Sequence, residues 1–148
     1  MRWKGKSDTM KKNLNKLAAI LAVIIGAMAV YAGGKVLLGI DPGYYVIDWL
    51  PVYNFGIGLI TVVFTAVLLW KNHPYARTIA GATLAAHAIV MMILQTTYQQ
   101  EVAAQSIMAM TIRIVVWIAI LVLLWIHSRS SKGVQHGIGT KAKETQFE

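Results

Sequence analysis

Of 148 residues, 57% are hydrophobic and only 14% charged, against about a quarter charged in an ordinary soluble domain, which leaves no room here for a separate soluble domain. The absence of cysteine excludes disulfide exchange, thiolate metal sites and Fe–S ligation by this chain. The formal charge of +8 would suit nucleic acid, but the basic residues gather in the two tails and one short loop, which membrane topology explains with no nucleic-acid partner.

Four apolar stretches, residues 17–38, 55–70, 76–94 and 107–126, approach the ~20 residues that cross a ~30 Å hydrocarbon layer. They predict an all-α integral membrane four-helix bundle with spans over residues 17–39, 53–70, 76–97 and 105–127. Before the first span, Arg2, Lys4, Lys6, Lys11, Lys12 and Lys16 make residues 1–16 a basic juxtamembrane segment for a bilayer surface with anionic headgroups. This basic start and the Ala27-Met28-Ala29 sequence resemble a signal peptide, but the apolar run is too long and continues past that site, so the segment reads as retained. Ala22, Gly26, Ala29, Gly33 and Gly34 give span one a small-residue face that lets a neighbouring helix approach closely.

Asp41-Pro42-Gly43 reads as a turn, and the aromatic, Pro-bounded run that follows makes residues 40–53 an outer interfacial loop. Lys71-Asn72-His73-Pro74 is a tight connection, so spans two and three are antiparallel neighbours. Span three is rich in alanine and glycine (Ala80, Gly81, Ala82, Ala85, Ala86, Ala88) and is expected to be central. Residues 128–148 form a polar tail, expected to be disordered by itself. Lys71, Arg77, Arg129, Lys132, Lys141 and Lys143 lie on the same side as the basic N-terminal segment, whereas Asp41, Asp48 and Glu101 lie opposite with only Lys35. The positive-inside rule then puts both termini in the cytoplasm, in an inner or plasma membrane.

Two spans carry an ionisable residue well inside, His87 and Arg113. A charge at that depth costs at least ~2.5 kcal/mol, so Arg113 is expected to face protein or water rather than lipid. At ~1.5 Å per residue both lie about 12–15 Å below the outer helix ends. They could therefore line one outward polar pocket with Tyr31, Lys35, Tyr53, Asn54, Gln95, Asp48 and Glu101. Trp117, one turn beyond Arg113, is a candidate to stack on it. Each member also has a plainer reading: Lys35 can snorkel, the loop carboxylates can be solvated, and His87 can bond a backbone carbonyl. Arg113 is the exception, because guanidinium does not discharge at physiological pH and needs a carboxylate, carbonyls, water or an anionic ligand. No metal site is expected. Only His87 among the histidines lies deep, and Met91, Met92, Met108 and Met110 read as gap fillers. Gly-rich phosphate loops, nucleophile elbows and paired-carboxylate motifs are missing from the sequence.

The run Tyr31-Ala32-Gly33-Gly34-Lys35-Val36-Leu37-Leu38-Gly39, then Gly56-x-Gly58-Leu59 and Ala85-Ala86-His87, resembles the small DoxX-type four-helix membrane proteins over roughly residues 17–127. The resemblance implies a four-helix bundle sometimes associated with quinone-linked respiratory complexes and assigns no catalytic residue. Three function classes follow. The first is an accessory, non-catalytic subunit that holds other membrane protein subunits through small-residue faces and basic tails, with no cofactor. The second is a redox-linked module that binds a quinone, with His87 on a carbonyl oxygen and Arg113 on the reduced anion. The third is a carrier of a small anion or proton centred on Arg113.

Overall fold

The structure, a computed structural model, describes the backbone of residues 4–144 and the side chains of residues 13–126. Within them the chain is helical: α1 (Lys4–Leu37), α2 (Leu50–Ile60), a π-helical turn at Thr61–Thr65, α3 (Ala66–Trp70), α4 (Ala76–Thr96) and α5 (Ala104–Glu144). Four segments are long and apolar enough to cross a membrane: Asn13–Leu37, Leu50–Trp70, Ala76–Thr96 and Ala104–Ile126. The second consists of α2, the π turn and α3. It starts earlier than the sequence pattern predicts because Pro51 fits the first helical turn, where its missing N–H costs no hydrogen bond. Residues 50–53 of the expected loop are therefore helical.

The start of α1, the end of α5 and the turn between α3 and α4 lie at one end of the bundle, hereafter the terminal end; the 38–49 segment and the α4–α5 connection form the loop end. At the terminal end α1 runs from Lys4 into the span without a break. Buried Asn15 donates its Nδ2–H to Asn72 Oδ1 in the α3–α4 turn, and Lys16 lies over the Trp70 ring. The rest of the basic segment before residue 13, and the whole tail 128–148, have their side chains outside the described residues. At the loop end, Gly43 takes φ +80°, a conformation that glycine adopts freely, and donates its N–H to Asp41 Oδ1 at 2.8 Å. The Asp-Pro-Gly sequence thus forms the turn its residue types predict.

The small residues of α1 are spent inside the chain. A Cβ added at Gly33 would lie 2.6 Å from the Pro51 carbonyl oxygen and 2.7 Å from the Phe55 nitrogen; one added at Gly58 would lie 2.8 Å from Gly26 O and Val30 N. Backbone meets backbone there, and any side chain larger than hydrogen would drive α1 and α2 apart. The middle place expected of span three belongs instead to α1, which packs along the whole second span and on α5, while α4 packs on α5 and on the π turn and α3.

Each remaining span turns one narrow stripe inward. On α4 it is Ala76, Ala80, Thr83, His87, Val90 and Leu94; on α5 it is Met110, Arg113, Trp117, Ile120 and Leu124. Alternating steps of three and four residues keep these positions on one helical face. His87 and Arg113 are therefore held inward by the same register that buries their apolar neighbours.

Candidate functional site

His87 and Arg113 stand at one level: His87 lies nine residues before the end of α4 and Arg113 nine after the start of α5, or ~13 Å along each helix. Both are buried, at 2% and 6% exposure. Three helices supply the side chains around them, because α2 brings Tyr53 and Asn54 to the same level.

The Arg113 guanidinium donates through Nη1–H to Asn54 Oδ1. It also lines a small cavity of about 50 Å³ at the loop end, with Ala32, Tyr44, Asn54, Ser106 and Ala109 among the other walls. No carboxylate lines this cavity. Its volume holds roughly three to five water molecules and falls well short of the ~300 Å³ at which pockets for drug-sized ligands begin.

His87 forms the other half of the cluster. Its Nδ1 lies 2.8 Å from the Thr83 carbonyl oxygen; a carbonyl only accepts, so Nδ1 carries the proton and donates. The imidazole sits between two aromatic rings, 5.9 Å from Tyr53 in an edge-on pair and 6.4 Å from Trp117 in a tilted one. The Tyr53 hydroxyl is buried with no hydrogen-bond partner among the described residues. The result is one polar cluster in two parts: a cation with Asn54 beside a cavity, and an imidazole held by rings.

Of the expected pocket residues, Asn54, His87, Arg113 and Trp117 come together, with Trp117 against His87. Tyr31 and Gln95 are exposed, and the half-buried Lys35 carries its ammonium over the Tyr31 ring at 5.6 Å. These three stand outside the cluster: Ala32 and Val36 are the α1 residues that line the cavity, and Tyr31 and Lys35 share the adjacent face. Asp48 and Glu101 are exposed. The methionines diverge, with Met110 buried and Met92 and Met108 exposed, and no group of three metal-binding side chains occurs among the described residues.

Sequence reasoning places Tyr53 in the pocket by depth but not against His87, and assigns neither Tyr44, in the interfacial aromatic run, nor Ser106 to it. Ser106 is seven residues before Arg113, on the same helical face, so the α5 register would have found it. Tyr44 reaches the cavity only through the path of the 38–49 loop, which periodicity does not encode.

No family model matches the chain, and neither a curated protein nor a solved structure is similar to it.

Proposed function

We propose that the chain is a multi-pass protein of the inner or plasma membrane, with both termini cytoplasmic, that serves as an accessory, non-catalytic subunit of a larger membrane complex. The observation that carries this reading is the face of α4 turned away from the bundle. Ala82, Ala85 and Ala88 are exposed there, and a Cβ added at the neighbouring Gly81 would meet nothing within 4 Å. Small side chains gain little from contact with lipid but let the backbone of another helix come close. Gly26, Gly33 and Gly34 of α1 are already committed to the second span, so α4 is left to receive a neighbour.

The charge distribution supports the orientation: Lys16, Lys71 and Arg77 stand at the terminal end, and Asp41, Asp48 and Glu101 at the loop end. Residues 1–16 and 128–148 supply the basic contacts, to other subunits and to anionic headgroups. The DoxX-type resemblance belongs to this reading. Its motif glycines Gly33 and Gly58 serve the α1–α2 contact, a packing role rather than a catalytic one.

The test is purification of the tagged chain in mild detergent from its own membrane, with mass spectrometry of proteins and extracted lipids. A stoichiometric partner is expected with the wild type and is expected to be lost with Ala85→Leu, whose isolated fold stays intact. A chain that purifies without a protein partner overturns the reading. A bound quinone in that preparation would favour the redox-linked alternative. That alternative rests on His87 and Arg113 sharing one level, and it needs space for a ring where the Arg113 cavity offers about 50 Å³.

A further inference from the structure

Arg113 poses a charge-balance problem that no described side chain solves. A buried cation is tolerated when it is paired, and an unpaired one costs many kcal/mol; guanidinium has no neutral form to retreat to at physiological pH. The chain has six acidic residues. Asp41, Asp48 and Glu101 are exposed, and none of the three lines the cavity. Asp8 stands ~36 Å down α1 from Ala32, Glu144 stands ~46 Å down α5 from Arg113, and Glu148 follows it in sequence. Among the described residues, the one hydrogen bond that Arg113 makes to another side chain goes to the neutral amide of Asn54.

The cavity has the chemistry to supply what is missing. Arg113 has five N–H donors and spends one on Asn54. The Ser106 and Tyr44 side chains, both able to donate an O–H, belong to the same lining. Apart from Arg113, Asn54, Ser106 and Tyr44, the walls are aliphatic side chains and Met110, so the polar groups gather on one part of an otherwise apolar lining. About 50 Å³ admits a monatomic or small polyatomic ion and excludes a bulky organic anion or a phospholipid headgroup. We infer that the cavity between Arg113, Asn54, Ser106 and Tyr44 is a binding site for one small monovalent anion of halide size. This goes beyond the subunit reading and does not depend on it.

The experiment uses the full chain in detergent or nanodiscs, first freed of halide by exchange into sodium gluconate. Equilibrium binding of radiolabelled chloride is expected to saturate near one ion per chain. Thermal unfolding is expected to move upward with chloride, bromide or nitrate over the same concentration range, and not with gluconate at equal ionic strength. Arg113→Gln is expected to weaken chloride binding at least tenfold. Should that variant fail to fold, Ala109→Leu provides the second arm, because it fills the cavity from the next turn and keeps the guanidinium. It is expected to abolish saturable binding. Absence of saturable chloride binding to the wild type, or unchanged binding in a folded Arg113→Gln or Ala109→Leu, overturns the site. Loss of anion binding with the partner retained, or the reverse, separates this inference from the subunit reading.

Discussion

Arg113 on α5 and Asn54 on α2 are joined by a hydrogen bond from guanidinium to amide oxygen, across 59 residues of sequence. Asn54 is the only side chain that accepts from Arg113 among the bonds described. Asn54→Leu removes the acceptor and leaves a charged donor unsatisfied, which costs on the order of 1–3 kcal/mol. Asn54→Asp should do the opposite, because it places a carboxylate where the amide oxygen was and supplies the counter-charge internally. The expected outcome in thermal unfolding is a lower midpoint for Asn54→Leu and a midpoint for Asn54→Asp that no longer responds to chloride. An Asp variant as chloride-dependent as the wild type would contradict this.

The pairing of His87 with Tyr53 and Trp117 separates shape from chemistry. His87→Ala opens a void between two rings and should destabilise by about 2–4 kcal/mol, in the range of large-to-small changes in packed interiors. His87→Phe keeps a ring between them and gives up the bond from Nδ1 to the Thr83 oxygen, so about 1 kcal/mol is expected. Comparing the two by denaturation in mixed micelles decides how the site is built. Equal losses would mean that the hydrogen bond, and not the ring contacts, holds His87 in place.

Glycines within the second span should differ sharply in what they tolerate. Gly58→Ala puts a methyl group 2.8 Å from the α1 backbone, and the overpacking should cost about 1–3 kcal/mol. At Gly56 the added Cβ meets nothing within 4 Å, so Gly56→Ala should be neutral or gain up to about 1 kcal/mol from better helix propensity. Thermal unfolding of the two single variants measures the difference directly, and a reversed order would refute the close α1–α2 approach.

The native chain has no cysteine, so single cysteines report topology without background. Cysteines at Asp41 and Gln100 should be labelled from outside by an impermeant thiol reagent on intact cells. A cysteine at Asn72 should react only after permeabilisation. The opposite pattern would invert the orientation.

The spans and their inward faces were legible in the sequence for a simple reason: a helix in an apolar environment satisfies its own backbone, so length and a repeat of three and four residues carry nearly all the information. The α5 stripe from Met110 to Leu124 puts Arg113 and Trp117 on the buried side by counting alone. What did not show was which neighbour each face meets. The glycines of span one announce a close contact but do not name α2 as its partner, and the alanines of span three were read as a sign of a central helix when half of them face outward. Tyr31, Lys35 and Gln95 were grouped with Arg113 by depth; depth gives height along the bundle but not direction around it. The π turn left no trace in hydrophobic periodicity.

That turn has a consequence for how the second span is aimed. At Thr61–Thr65 the amide of Ala66 reaches back to the Thr61 carbonyl, so one extra residue is accommodated relative to a regular α-helix. The extra residue acts as a swivel. Above it Gly58 faces the α1 backbone, and below it Thr65, Ala66 and Leu69 are buried in the half of the bundle where α4 joins the packing. A regular helix through these residues would rotate one half by about 100° relative to the other and could not serve both neighbours at once. The loop-end cluster and the terminal-end core are thus set at different azimuths on one continuous rod.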